Sequence, residues 1–294
     1  MPDPTLGGTR HLGDAAVPRL GYGAMQLAGP GVFGPPADPD AAVAVLREAY
    51  DLGIRHIDTA DFYGPVITNE LIRRALSPYP DDLVIVTKVG ARRDDAGAWI
   101  HARRPEELVA QVHDNLRHLG VEALDVVNLR MGGGGDHGSR AVPGSIAEQW
   151  GALVELQRQG LIRHLGLSAV DLDQLDEARA EAPVACVQQL YNVADRDDEP
   201  VLSRSAELGI PYVPFFPLGG FSPLQSEELS AVAARLDATP MQVALAWLLQ
   251  RSPNILLIPG TSSLPHLREN AAADIDLPPD ALADLDLIGA RPAA

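Results

Sequence analysis

Cysteine is nearly absent from this sequence, since its 294 residues include only Cys186. A single thiol excludes an internal disulfide framework. Cys186 lies within the apolar run Val184–Val187, and no paired base stands beside it. We therefore expect a buried thiol rather than a reactive nucleophile.

Long apolar runs are also missing, and we expect no secretory leader. No run approaches the ~20 uninterrupted apolar residues that are needed to span a bilayer. The start, Met1–Thr5, lacks the basic and apolar regions of a secretory signal. Because 46% of the residues are apolar and can fill a core, the sequence predicts a soluble, cytoplasmic protein without a membrane partner.

Basic residues are scarce, with 23 Lys and Arg against 40 Asp and Glu and a net charge of -17. Affinity for nucleic acid needs basic surface, so nucleic acid is not an expected partner. Metal-ligand spacing is missing too, because the eight histidines form no His-x-x-x-His pair. We interpret His56, His113 and His118 as structural or solvated residues and expect no metal.

Glycines mark four predicted joints between a helix and the strand that follows it. Each glycine stands between a helix-like stretch and an apolar run, at Gly53, Gly120, Gly160 and Gly209. Glycine suits the left-handed position just after a helix. Apolar residues recur at helical spacing over Leu108–Leu119, which gives that helix one face to bury.

Eight short apolar runs predict eight strands. They lie near residues 20–25, 55–58, 83–88, 124–129, 164–168, 184–188, 212–216 and 255–259. Alternation with helices implies a parallel sheet, and eight repeats favour a closed (β/α)8 TIM barrel, which typically takes about 250 residues. The first run lacks a Gly-x-Gly-x-x-Gly turn, which weakens an open dinucleotide-binding sheet. We predict one domain over residues 1–294, with an N-terminal β-hairpin in residues 1–17 over the barrel bottom.

Long polar or glycine-rich segments follow the first, third and fourth predicted strands, at residues 28–34, 90–104 and 131–144. In a barrel these segments emerge at the C-terminal face, where active sites are built. We interpret them as substrate loops. The run Gly132–Gly135 has no side chains to order it, so we expect that loop to be mobile until a ligand binds.

An acid, a phenol and an amine stand at the ends of predicted strands. Asp58 and Tyr63 belong to one segment, and Lys88 ends the next strand along the chain. A phenol is a weak acid, with an ordinary pKa of about 10, but a nearby ammonium stabilises its anion and eases proton donation. The three groups together are the equipment for protonating a carbonyl oxygen during reduction.

The segments that contain these groups resemble the aldo-keto reductases. The similar segments are residues 53–64, Thr87 with Lys88, and residues 258–263 with Glu269 and Asn270. Within that superfamily, residues 21–30, 125–130 and 214–221 are similar to bacterial pyridoxal reductases. The resemblance implies NADPH-dependent reduction of an aldehyde, here pyridoxal to pyridoxine. It also implies that Tyr63 donates the proton, Lys88 eases that donation and Asp58 orients Lys88.

The chain departs from most of that family at the end of the fourth strand, where Arg130 replaces the usual histidine. A neutral imidazole points one hydrogen bond at the substrate carbonyl, whereas a guanidinium brings a permanent charge and several donors. Arg130 can polarise the substrate carbonyl, assist ionisation of Tyr63 or bind an anionic group such as the phenolate of pyridoxal. The alternative is a salt bridge to a loop carboxylate.

The second half of the barrel is the predicted cofactor site. By resemblance, Ser168, Gln188 and the adjacent Gln189 hold the nicotinamide carboxamide, although Ala169 replaces the asparagine that usually follows the serine. Phe215 occupies the place of the aromatic residue that stacks on the nicotinamide, and its alternative is plain barrel core. The predicted cofactor-binding set is Gly23, Met25, Ser168, Gln188, Phe215, Leu218, Gly219, Gly260, Thr261, Ser262, Ser263, His266, Glu269 and Asn270.

Two backbone segments within that set suit phosphate groups. The amides of Leu218–Gly220 carry no bulky side chains and fit a pyrophosphate, with a simple tight turn as the alternative. Residues 260–263 and the helix after them supply hydroxyls, a helix N-terminus and a cation. These groups suit a 2′-phosphate and favour NADPH over NADH. Helix capping by Ser263 is compatible with that role.

The substrate pocket is predicted to be lined by Phe33, Arg92, Trp99 and Arg130. A broad reductase of small aromatic aldehydes stays open, because substrate loops diverge readily. Two other classes are a Schiff-base aldolase that uses Lys88 and a nicotinamide-sensing regulatory subunit with negligible turnover. The sequence leaves the oligomeric state open and is compatible with a monomer.

Overall fold

A parallel barrel with a hairpin beneath it forms the fold. The structure is a computed structural model and describes residues 6–133, 139–220 and 224–288. The chain begins with two antiparallel strands, β1 (Thr9–Leu12) and β2 (Ala15–Pro18). Over its described residues, the predicted N-terminal hairpin is therefore confirmed, while Met1–Thr5 lie outside the described part.

Nine further strands follow in chain order. They are β3 (Tyr22–Gly23), β4 (His56–Asp58), β5 (Val84–Val89), β6 (Ala91–Arg93), β7 (Trp99–His101), β8 (Leu124–Arg130), β9 (Ile162–Ser168), β10 (Val187–Leu190) and β11 (Tyr212–Phe215). Seven of them form one parallel sheet in the order β11-β10-β9-β8-β5-β4-β3. The remaining pair, β6 and β7, is an antiparallel hairpin in the loop after β5.

Residues 255–259 form the eighth segment of the barrel wall and close the barrel without forming a regular strand. The Leu256 amide donates to the Tyr212 carbonyl at 2.9 Å, and the Leu257 amide donates to the Arg19 carbonyl at 2.7 Å. These contacts are isolated bridges, and the next wall residue, Pro259, has no amide proton with which to extend them. The predicted (β/α)8 barrel is confirmed, but the predicted strand at residues 255–259 is only bridged.

Helices cover the outside of the sheet. They are α1 (Pro39–Asp51), α2 (Ile67–Leu76), α3 (Pro105–Leu119), α4 (Ala147–Arg158), α5 (Leu172–Glu181), α6 (Glu199–Glu207), α7 (Glu227–Arg235), α8 (Pro240–Arg251), α9 (Leu264–Ala271) and α10 (Pro279–Asp286). All four predicted glycine joints have positive φ, from 68° at Gly209 to 93° at Gly53. The predicted apolar face of α3 is buried.

The apolar core has two parts. The larger part lies between the sheet and the helices. The smaller part fills the barrel interior, where Leu12 and Val17 of the hairpin pack with Cys186 and strand residues. Burial raises the pKa of the Cys186 thiol to about 12, as the sequence environment suggested. No described helix has the length and apolar character to cross a bilayer.

Candidate active site

A cavity of about 450 Å³ opens at the C-terminal ends of the barrel strands. Its wall brings together most of the predicted site. The predicted residues that line it are Gly23, Met25, Asp58, Tyr63, Lys88, Trp99, Arg130, Gln188, Phe215, Leu218, Gly260, Thr261, His266, Glu269 and Asn270. Acidic, phenolic, cationic and amide groups therefore face one enclosed space.

Asp58 and Lys88 form a buried ion pair at the cavity floor. The Lys88 Nζ donates to Asp58 Oδ1 at 2.5 Å and to the Thr59 carbonyl at 2.8 Å. Both side chains are almost fully buried. Burial alone would lower the pKa of Lys88, but the Asp58 carboxylate and Tyr63 outweigh it, and the pKa is raised above its usual value. Lys88 is therefore held as an ammonium.

Tyr63 lies on the loop after β4, with its ring 5.1 Å from the Lys88 Nζ. Phe62 and Trp99 contact that ring edge-on, at centroid distances of 5.3 and 6.4 Å. Such edge-to-face contacts orient rings as well as burying them. Tyr63 is 7% exposed. It therefore lines the cavity while its ring remains packed against its neighbours.

Arg130 ends β8 and faces the cavity beside these groups. Its Nη1 donates to Ser168 Oγ at 3.2 Å, and its guanidinium carbon lies 5.3 Å from the centre of the Phe215 ring. Burial lowers the pKa of Arg130, although Tyr63 and Asp58 favour its charged form. The guanidinium keeps its proton at neutral pH because its ordinary pKa is above 12. The site thus has a second cation next to the phenol.

Gln188 on β10 connects the ion pair to the far wall. Its Nε2 donates to Asp58 Oδ2 at 2.7 Å, so each oxygen of that carboxylate has a donor. Its Oε1 is buried and has no hydrogen-bond partner among the described residues. The next residue, Gln189, points the other way, as strand alternation requires, and its Oε1 accepts from the Val170 amide at 3.0 Å. The structure thus separates the two glutamines that the sequence placed together.

The wall next to Asp58, whose partner on the neighbouring strand is Gly23, is built by close backbone contact. A Cβ on Gly23 would lie 2.6 Å from the Ile258 carbonyl oxygen, and one on Gly260 would lie 2.7 Å from the Gly23 carbonyl oxygen. Only glycine therefore fits where the first and last barrel segments meet. Tyr22, which sequence reasoning missed, donates from its hydroxyl to the Thr261 carbonyl at 2.6 Å and ties the same segments together.

Four members of the predicted cofactor set do not line the cavity. Ser168 is fully buried beneath Arg130, and the Gly219 amide donates to the Phe216 carbonyl at 3.0 Å in a tight turn. Ser263 caps α9 by accepting from the His266 amide at 3.5 Å, and Ser262 is an exposed residue next to it. The structure thus shows the helix cap at Ser263 and the tight turn at Gly219, and contact of either residue with a phosphate stays a prediction.

Two predicted substrate residues lie outside the cavity as well. Arg92 is exposed because the β6–β7 hairpin turns its neighbour Arg93 inward, where the guanidinium carbon lies 4.2 Å from the Trp99 ring centre. Phe33 is 38% exposed and packs beside Arg93. Gly134 and Gly135 of the predicted glycine-rich loop lie outside the described residues.

Several cavity residues were not predicted. They are Gln26, Phe62, Phe216, Pro217, Met241, Ile258 and Pro259, whereas Gly220 of the predicted pyrophosphate segment lines the cavity as well. Phe62 stands directly before Tyr63 in the chain, so its position in that motif was an available signal. Met241 is the second residue of α8 and carries no motif, and only the folded structure brings it to the cavity. Among the described residues, no group of His, Cys, Asp and Glu side chains gathers to hold a metal ion.

Comparisons with known proteins identify the family of the whole chain. The sequence profile of the aldo/keto reductase family matches residues 19–290. The chain is 61% identical over 279 residues to pyridoxine 4-dehydrogenase of Escherichia coli (strain K12), which covers 95% of this chain and 97% of that protein. An aldo/keto reductase of Klebsiella pneumoniae, solved with NADP and acetate, is 27% identical with a TM-score of 0.78 over 97% of this chain and 96% of that one.

A third similarity is to a thermostable aldo-keto reductase solved with the inhibitor epalrestat. It is 31% identical with a TM-score of 0.79, covering 96% of this chain and 99% of that one. The match therefore extends over the whole barrel as well as over the short motifs. The chain belongs to the aldo/keto reductase family.

Proposed function

We propose that this protein reduces pyridoxal to pyridoxine with NADPH, and that Tyr63 protonates the carbonyl oxygen. The observation that carries the proposal is the buried Asp58–Lys88 pair beneath Tyr63 in an enclosed cavity. The name of the Escherichia coli relative, pyridoxine 4-dehydrogenase, describes dehydrogenation of pyridoxine at its 4-position. Reduction of pyridoxal is that interconversion in the opposite direction.

The proton comes from this chain's own residues. Tyr63 gives its hydroxyl proton to the oxygen that gains negative charge, and the Lys88 ammonium stabilises the phenolate that is left. Asp58 keeps Lys88 charged and directed at the phenol, while Gln188 occupies the second carboxylate oxygen. When bound, NADPH supplies the hydride for the carbonyl carbon.

The cavity has groups that fit NADPH. The buried Gln188 Oε1 has no partner among the described residues and can accept a hydrogen bond from a carboxamide. Phe215 offers an aromatic face, and the glycine contact at Gly23 and Gly260 leaves backbone exposed to a ligand. Thr261, His266 and Asn270 line the end near α9, where hydroxyl, imidazole and amide groups suit a phosphate. The Klebsiella structure contains NADP, which supports the choice of cofactor.

Arg130 favours an aldehyde that carries a negative group. Pyridoxal has a phenolic oxygen next to its aldehyde, and a guanidinium beside Tyr63 can pair with that oxygen while the aldehyde faces the proton donor. Phe62 and Trp99 offer apolar surface for an aromatic ring. We therefore assign Arg130 to substrate recognition and carbonyl polarisation.

The aldolase alternative is disfavoured by the state of Lys88. A Schiff-base lysine needs a free amine, which a lowered pKa would supply. The pKa of Lys88 is raised, because Asp58 and Tyr63 outweigh its burial. Its ammonium suits proton chemistry rather than attack on a carbonyl.

The test mixes enzyme-bound NADPH with pyridoxal in a single-turnover experiment. Oxidation of NADPH is measured as the loss of its absorbance. We expect stoichiometric oxidation and formation of pyridoxine, with a lower kcat/KM for benzaldehyde and pyridine-4-carboxaldehyde, which lack the phenol. Comparable kcat/KM values for all three would favour a broad aldehyde reductase. Tight NADPH binding without oxidation by any aldehyde would favour the sensor and refute the proposal.

A further inference from the structure

A buried hydrogen-bond network lies on the outer side of the barrel wall, directly behind the ion pair. It consists of Thr59, Asn69, Thr87 and Asn115, and is called here the outer amide network. All four side chains are 0% exposed. Thr59 follows Asp58 and Thr87 precedes Lys88, so strand alternation turns their hydroxyls away from the barrel interior and toward α2 and α3.

The network connects the two catalytic strands through two helices. The Thr59 hydroxyl donates to Asn69 Oδ1 at 2.9 Å, and Asn69 Nδ2 donates to Asn115 Oδ1 at 3.0 Å. The Thr87 hydroxyl donates to the same Asn115 oxygen at 2.5 Å. Asn115 is anchored in turn, because its Nδ2 donates to the Gln111 carbonyl at 2.8 Å. The ends of β4 and β5 are thus cross-linked by side chains as well as by the sheet.

Thr59 connects the outer amide network to Lys88 in the candidate active site. Its carbonyl oxygen is the second acceptor of the Lys88 ammonium, at 2.8 Å, while its hydroxyl belongs to the outer amide network. A shift of Thr59 therefore moves a group that holds Lys88. Asn69 also donates to Asp61 Oδ1 at 3.0 Å, two residues before Tyr63. Asn69 thus contacts two residues of the segment that leads into Tyr63.

We propose that Asn69 is a positioning residue for proton donation, and that the outer amide network fixes Lys88 and the Tyr63 loop relative to each other. This inference rests on the proposed function and concerns the same site. Asn69 touches neither substrate nor cofactor, because it lies behind the wall. Its effect on the reaction passes through Thr59 and Asp61. Misplacement of reacting groups by about 1 Å can cost about a hundredfold in rate.

The test compares Asn69→Ala with Asn254→Ala. Asn254 is a matched control because its buried amide donates to the Ile210 carbonyl at 2.8 Å and accepts from Ser252, at the opposite end of the barrel. We expect both variants to unfold at a lower temperature. Only Asn69→Ala should lower the single-turnover rate, by about tenfold to a hundredfold, and shift the pH profile of that rate, with the Kd for NADPH unchanged.

A second pair of variants decides the question if Asn69→Ala does not fold. Thr87→Val keeps the side-chain shape and removes the hydroxyl that reaches Asn115, whereas Thr87→Ser keeps the hydroxyl. We expect a slow Thr87→Val enzyme and a Thr87→Ser enzyme close to the unmodified rate. Equal rates in the two Thr87 variants, or in the two alanine variants, would overturn the inference. An unmodified enzyme that reduces no aldehyde would instead overturn the proposed function.

Discussion

The two halves of the barrel build the cavity from different chemistry. The half that contains β3 to β8 contributes Asp58, Tyr63, Lys88 and Arg130, which are charged or proton-donating groups. The half from β10 to α9 contributes mainly amide, aromatic, hydroxyl and glycine surface, with Phe215 as its aromatic face. The first half is equipped for proton transfer and the second for holding a flat, polar cofactor. Proton transfer and cofactor binding should therefore respond to different substitutions.

Tyr63→Phe tests proton transfer by the first half, and we expect the largest effect from this substitution. Loss of the hydroxyl removes the proton donor while the ring keeps its contacts with Phe62 and Trp99. We expect kcat to fall by about a hundredfold or more, with the Kd for NADPH unchanged in a fluorescence titration. Near-normal turnover of the variant would remove Tyr63 from the mechanism.

Arg130→Met tests substrate recognition within the first half. The apolar side chain keeps much of the length but loses the charge and the forked donors. We expect the KM for pyridoxal to rise by about tenfold, which corresponds to about 1.4 kcal/mol, while the KM for pyridine-4-carboxaldehyde changes little. An equal rise for both aldehydes would mean that Arg130 does not recognise the phenol.

Phe215→Leu tests the second half. Aromatic stacking contributes about 0.5–1.5 kcal/mol beyond buried area, so we expect the Kd for NADPH to rise by severalfold and the single-turnover rate at saturating NADPH to stay close to normal. Phe215 also faces the Arg130 guanidinium. A fall in rate with an unchanged Kd would therefore contradict the division of labour between the halves.

Asp198, in the second half, gives the protein a pH-dependent stability. Burial raises the pKa of its carboxyl to about 6, although the Tyr212 hydroxyl donates to it at 3.1 Å. The folded state therefore holds this proton more tightly than the unfolded state, and the stabilisation present below pH ~4 is lost as the pH rises through about 6. Urea unfolding at pH 5 and pH 7 should show a loss of about 1 kcal/mol that Asp198→Asn does not show. An equal loss in the variant would assign the effect to other groups.

The barrel and the acid-base groups were predictable because they follow from local patterns. Glycine after each helix and short apolar runs define the repeat, and the ends of parallel strands bring Asp58 and Lys88 to one face. The packing of Arg93 against Trp99, with Arg92 left exposed, depends on the register of the β6–β7 hairpin, which the sequence of a short polar loop does not set. The bond from Gln188 to Asp58 joins residues 130 positions apart, and no local pattern connects them.

The buried lone cysteine has a practical consequence for observing this enzyme. Cys186 is shut inside the barrel and keeps its proton at neutral pH, so maleimide dyes should leave the native protein unlabelled. A cysteine introduced at the exposed position Arg92 in the β6–β7 hairpin would then be the single reactive thiol. A fluorophore attached there would report the arrival of cofactor and aldehyde in real time, without removing any native residue from the core.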